Sequence, residues 1–100
     1  MSDEELFLLV RRTSSLFCKL HPEDSLEDFR IERVKFDESD RLVGRASYVE
    51  GGKRVFRDYV SDLPSVNKSE AKGEYVKLCR ETFNVDSIEE LELLLQANGI

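Results

Sequence analysis

Cys18 and His21, three positions apart, are the residues whose types and spacing come nearest to nucleophilic chemistry in this 100-residue chain. A thiolate activated by a nearby imidazole would attack a carbonyl carbon, given a third group to orient the ring. No residue is spaced to play that third part, and His21 is the only histidine, directly before Pro22. Cys18 and Cys79 both fall on apolar stripes of predicted helices, so both are expected as buried thiols in a reducing compartment. Carboxylate pairs occur at Glu23/Asp24, Glu27/Asp28 and Glu89/Glu90. Acid–base catalysis needs a carboxyl group with a shifted pKa in a pocket, whereas these stand at capping or solvated positions. Metal-ligand spacing of Cys and His, a phosphate-cradling glycine loop and Gly-x-Ser-x-Gly are all missing from the sequence. The expectation is a chain that binds rather than catalyses, with no cofactor and no metal.

The elements that must position the remaining candidates follow from periodicity. Residues 2–20 are predicted as a helix, with Ser2 and Glu5 spaced as a capping box. Its buried stripe is Leu6, Leu9, Val10, Thr13, Phe17 and Leu20, widened by Phe7 and Leu8, and His21-Pro22 ends it. Residues 28–37 read as a strand whose apolar parity changes between Phe29/Ile31 and Val34/Phe36. That change calls for a bulge or for cover on both faces. After a turn at Asp37-Glu38-Ser39-Asp40, residues 41–49 and 53–60 form a hairpin around Gly51-Gly52, because the tight turns that join such strands need positive φ. A two-residue loop sets Glu50 opposite Lys53, Tyr48 opposite Val55, Ala46 opposite Arg57 and Arg45 opposite Asp58. Leu42, Gly44, Ala46, Tyr48, Val55 and Tyr59 are then the core face. Val43, Arg45, Ser47, Arg54, Phe56 and Asp58 are the other face. Leu63 to Val66 is a connector. Asn67 to Phe83 is a helix capped by Asn67, with Ala71, Tyr75, Leu78, Cys79, Thr82 and Phe83 inward, and residues 86–98 are a last helix stopped by Gly99.

The predicted class is α+β, ordered α-β-β-β-α-α, a three-stranded antiparallel sheet with helices packed on one face. One domain spans residues 1–100, with no room for a second. The net charge is −6, yet residues 29–57 hold eight basic and five acidic side chains, so the middle is mildly positive between acidic ends. The overall basic field usual in nucleic-acid binders is missing. No apolar run approaches the ~18 residues of a membrane span, and the acidic start lacks the charge of a secretion signal. A cytoplasmic or nuclear protein without a membrane partner is the expectation.

The stretch Asn67-Lys68-Ser69-Glu70-Ala71-Lys72, which opens a helix after three strands, resembles the head of the last helix in double-stranded RNA-binding domains. That family shows Ser-Lys-Lys-x-Ala-Lys there. Tyr48-Val49-Glu50-Gly51-Gly52-Lys53 is similar to its second-to-third strand turn, and the element order matches over residues 4–83. Helix 86–98 is an addition. The resemblance implies that Lys68 and Lys72 grip phosphates, with Asn67 beside them, that Ala71 packs the helix on the sheet, and that Glu5 or Glu4 reaches a 2′-hydroxyl. Ser69 replaces the middle lysine, and acidic Asp37-Glu38-Ser39-Asp40-Arg41 stands where the family carries Gly-Pro-x-His. Each lysine on a phosphate contributes a counterion-release term, so these departures imply weak RNA binding.

The function expected is therefore a degenerate module of that fold, serving mainly protein association, self-association into a homodimer included, with residual affinity for double-stranded RNA. Its contact residues are Arg45, Arg54 and Phe56 on the open sheet face and Leu91, Leu94 and Leu95 on the last helix. The competing expectation is a small acidic inhibitor that mimics nucleic acid and fills a basic groove of a nucleic-acid-processing enzyme. It rests on the acidic clusters at 3–5, 23–28 and 86–92.

Overall fold

A computed structural model describes residues 1–61 and 67–100. The predicted connector at 63–66 lies outside the described residues. The rest follows the expected order: α1 (Asp3–Leu20), β1 (Glu27–Phe36), β2 (Leu42–Glu50), β3 (Lys53–Val60), α2 (Lys68–Thr82) and α3 (Ile88–Ala97), with one tight helical turn at Pro22–Asp24 after α1. The capping box closes as predicted, the Ser2 hydroxyl accepting from the Glu5 amide and the Glu5 carboxylate accepting from the Ser2 amide. Asn67 and Ser87 cap α2 and α3 by accepting from the amides of Glu70 and Glu90.

The three strands form one antiparallel sheet in the order β1-β2-β3. Gly51 and Gly52 adopt φ of 60° and 77°, the left-handed pair that a two-residue hairpin turn requires. The register is the one the glycine pair dictates, with Glu50 on Lys53, Tyr48 on Val55, Ala46 on Arg57 and Arg45 on Asp58. In β1, Ile31 pairs with Ala46 and Arg33 with Arg45, leaving Glu32 as an inserted residue. This bulge accounts for the parity change, because it returns Val34 and Phe36 to the side that Ile31 faces. Gly44 sits beside it. A Cβ there would meet the Arg33 carbonyl oxygen at 2.9 Å, so the bulged strand can approach only a glycine.

Helix α1 is the central element, packing against β1, α2 and α3. Leu9 and Leu16 of α1, Cys79 of α2 and Leu91 and Leu95 of α3 form one buried cluster, with Val76, Phe83, Val85, Ile88, Leu94 and Ile100 packed around it. Arg12 of α1 ties this corner together, donating to both carboxylate oxygens of Glu92 at 2.7 and 2.9 Å and to the Ile100 carbonyl at 3.1 Å.

That arrangement corrects several expectations. Leu91 and Leu95 are fully buried, so they are core rather than contact surface, and Leu94 packs against the same cluster. The outward leucine of α3 is Leu93. On α1, Leu16 is fully buried while Phe17 and Leu20 are exposed, because the helix serves α2 and α3 as well as the sheet and its buried face is turned accordingly. Leu8, expected to widen that stripe, is exposed as well, as are Leu78 and Thr82 on α2. Cys18 is only half-buried, unlike Cys79. Tyr59 was expected in the core but is 49% exposed, since α1 lies over β1 and leaves β3 without a buried residue.

Candidate functional site

Two surfaces carry the residues singled out from the sequence. At the head of α2, Lys68 and Lys72 converge on Asp3 in the first turn of α1. Lys68 Nζ lies 3.1 Å from one carboxylate oxygen and Lys72 Nζ 2.5 Å from the other. Lys68 also stands over the Phe36 ring at 5.3 Å, and Lys72 donates to the Met1 carbonyl at 3.3 Å. The hydrogen bond from Lys72, then that from Lys68, holds the Asp3 carboxyl below the usual carboxylate range. The bond from the Ser2 backbone amide does the same for Glu5, which is thereby occupied as a cap. The fold thus brings Asn67, Lys68, Lys72 and Glu5 to one end of the molecule and engages each of them internally.

The second surface is the sheet face turned away from the helices. Its end nearest the hairpin is a closed polar network. Ser47, fully buried, donates to Glu32 at 2.5 Å and accepts from Arg54 at 2.8 Å. Arg54 and Arg30 both bind the carboxylate of Asp28, and Arg54 reaches the Asp28 carbonyl at 3.2 Å as well. Asp28 holds that place with φ of 47°, at a second irregularity of β1. Ser47, Glu32 and Asp28 were not foreseen as a unit. The signal was a serine inside a strand whose cross-strand and diagonal neighbours are all charged or aromatic, but the bulge had to be placed before Glu32 could be aimed at it.

The remainder of this face carries Arg33, Lys35 and Arg45, with Asp58 opposite Arg45. Arg33 stands directly opposite Arg45, and Lys35 follows opposite Val43. Arg33, Lys35 and Arg45 make no ion pair among the described residues. Like charges paired across strands destabilise a sheet when nothing lies between them. Arg45 turns instead onto the Phe56 ring, 5.1 Å from its centre, and Phe56 is itself 45% exposed. The face therefore offers an aromatic ring under the Arg45 guanidinium, with Arg33 opposite Arg45 and Lys35 farther along β1.

An apolar cleft of about 350 Å³ lies on the opposite side of the sheet, lined by Val10, Ile31, Val34, Leu42, Tyr59 and Tyr75 among others. Among the described residues that line it, Arg45, Tyr59 and Tyr75 carry titratable groups. The Cys79 thiol is buried against Thr13 Oγ1 at 3.6 Å, and burial pushes its pKa up. The His21 ring stacks on Phe17 at 4.8 Å rather than on a thiol. His21, Glu23 and Asp24 bring their donor atoms within 4.8 Å of one another on the surface where α1 ends. No family model, no curated protein and no solved structure matches this chain.

Proposed function

We propose that this chain is a non-catalytic protein-contact module whose topology is compatible with that of a double-stranded RNA-binding domain, and that its open sheet face takes an acidic protein segment. The observation that carries the proposal is the double engagement of Asp3 by Lys68 and Lys72. The two lysines of the family pattern face an internal carboxylate, so a phosphate would have to displace Asp3 to reach them. Double-stranded RNA is held mainly through such phosphate contacts, and each lost contact removes its counterion-release contribution.

The chemistry left over lies elsewhere, in Arg33, Lys35, Arg45 and Phe56. Carboxylates from a partner placed between Arg33 and Arg45 add to the one carboxylate the sheet sets opposite Arg45, that of Asp58, and the exposed Phe56 ring adds apolar contact area. The acidic-mimic function draws less support. Asp3 is paired with two lysines, Glu92 is held by Arg12, and Glu5 and Glu90 serve as caps.

The test is a pair of titrations followed by backbone amide shifts. A peptide of alternating glutamate and leucine should shift Arg33, Lys35, Arg45 and Phe56 saturably, with affinity falling as salt rises. An RNA duplex longer than the ~16 base pairs such domains span should produce no saturable shift. Saturable RNA binding centred on Lys68 and Lys72 overturns the proposal.

A further inference from the structure

We infer that a second copy of this chain pairs with the free edge of β3, antiparallel, with Phe56 on the two-fold axis. The inference concerns the edge of the sheet and holds whatever the open face binds.

The hairpin fixes which backbone groups are available. A two-residue turn makes Glu50 and Lys53 a hydrogen-bonded pair, and antiparallel pairs then alternate. Lys53, Val55, Arg57 and Tyr59 spend their amides and carbonyls on β2. The Ser61 amide continues that series by donating to the Leu42 carbonyl at 2.9 Å. Arg54, Phe56, Asp58 and Val60 consequently point theirs outward. The Phe56 carbonyl agrees with this, its partner among the described residues being the neighbouring Arg57 guanidinium at 3.4 Å.

Among the described residues, no strand pairs with this edge. β3 carries no bulge in its pairing with β2 and no residue of it is buried. Phe56, Tyr59 and Val60 are about half exposed, on both faces of the strand. A long regular edge with apolar side chains is a template for another strand.

Charge selects one register. With Phe56 opposite Phe56, Arg54 faces Asp58 on either side of the axis, Val55 faces Arg57, and Lys53 faces Tyr59. Asp58 makes no ion pair within its own chain among the described residues, so its carboxylate is available to the second copy. Sliding by one residue pair in one direction sets Arg57 on Arg57, and a further slide sets Asp58 on Asp58. The opposite slide brings Lys53 onto Arg57. Like charges directly opposed are unfavourable, so only the first register is free of them. Odd slips match an outward-pointing amide with one already spent on β2. In the favoured register the two sheets become one, with helices on the same side and two Phe56 rings at the centre of the open face.

Sedimentation equilibrium on the full chain tests this. The expected species has twice the 11.6 kDa chain mass. Asp58→Pro removes an outward amide and a charge partner but none of the β2–β3 hydrogen bonds, as edge proline does. It should weaken self-association at least tenfold while the far-ultraviolet circular dichroism is unchanged. Phe56→Lys, at an exposed site, places two ammonium groups on the axis and should do the same, so a folding failure of the proline variant does not decide the matter. A monomer at every concentration, or a dimer unmoved by Phe56→Lys, overturns the inference.

Discussion

Asp3, in the first turn of α1, lies 2.5 Å from the Lys72 ammonium on α2, so two elements separated in sequence by the whole sheet meet through one carboxylate. Asp3→Asn removes the charge that Lys68 and Lys72 share. The expected outcome is a gain of measurable, salt-sensitive binding to an RNA duplex, read by fluorescence anisotropy against an unbound native chain.

The same carboxylate gives stability a pH dependence. The folded-state pKa values of Asp3, Glu5 and Asp37 all lie below their ordinary values of 3.8, 4.5 and 3.8, Asp37 chiefly through the hydrogen bond from the Arg41 amide. Depressed carboxyl groups stabilise the fold above their ordinary pKa, and that contribution is lost as pH falls through the folded value. Urea midpoints should hold level as pH falls toward about 5 and drop below about 4.5, with a shallower drop in Asp3→Asn.

Gly44→Ala directs a methyl group into the Arg33 carbonyl oxygen, a backbone atom that cannot rotate away. The bulge must shift, at a cost of about 1–3 kcal/mol. Chemical denaturation measures it, and Gly73→Ala, on α2 with open space around it, is the matched control that should leave stability unchanged or raise it.

Leu91→Ala should cost about 2–5 kcal/mol, because its side chain is fully buried where α1, α2 and α3 meet. Leu93→Ala, two residues on and 67% exposed, should fall within about 0.5 kcal/mol of the native chain. Equal losses at the two sites would contradict the inward turn of α3.

The two cysteines should separate by reactivity. A thiol reagent at neutral pH should modify half-buried Cys18 first and reach Cys79 only as the chain unfolds, since burial both covers the Cys79 sulfur and keeps it protonated. Mass spectrometry of the labelled peptides reads the order.

What the sequence determined by itself was local. Three caps and the Gly51-Gly52 hairpin with its full register are each dictated by residues within a few positions of one another, where side-chain geometry and φ preference act directly. The parity change in β1, by contrast, fitted either a bulge or cover on both faces until the strand pairing chose the bulge. Tertiary structure decided which face of each helix is inside. The apolar stripe of α3 reads the same whether it meets solvent, a partner or α1, and only the seating of α3 beside α1 and α2 makes Leu91 and Leu95 core. It also decided the state of Lys68 and Lys72, because Asp3 lies more than sixty residues away in sequence. A charge's partner is set by distance in space, and no spacing along the chain encodes it.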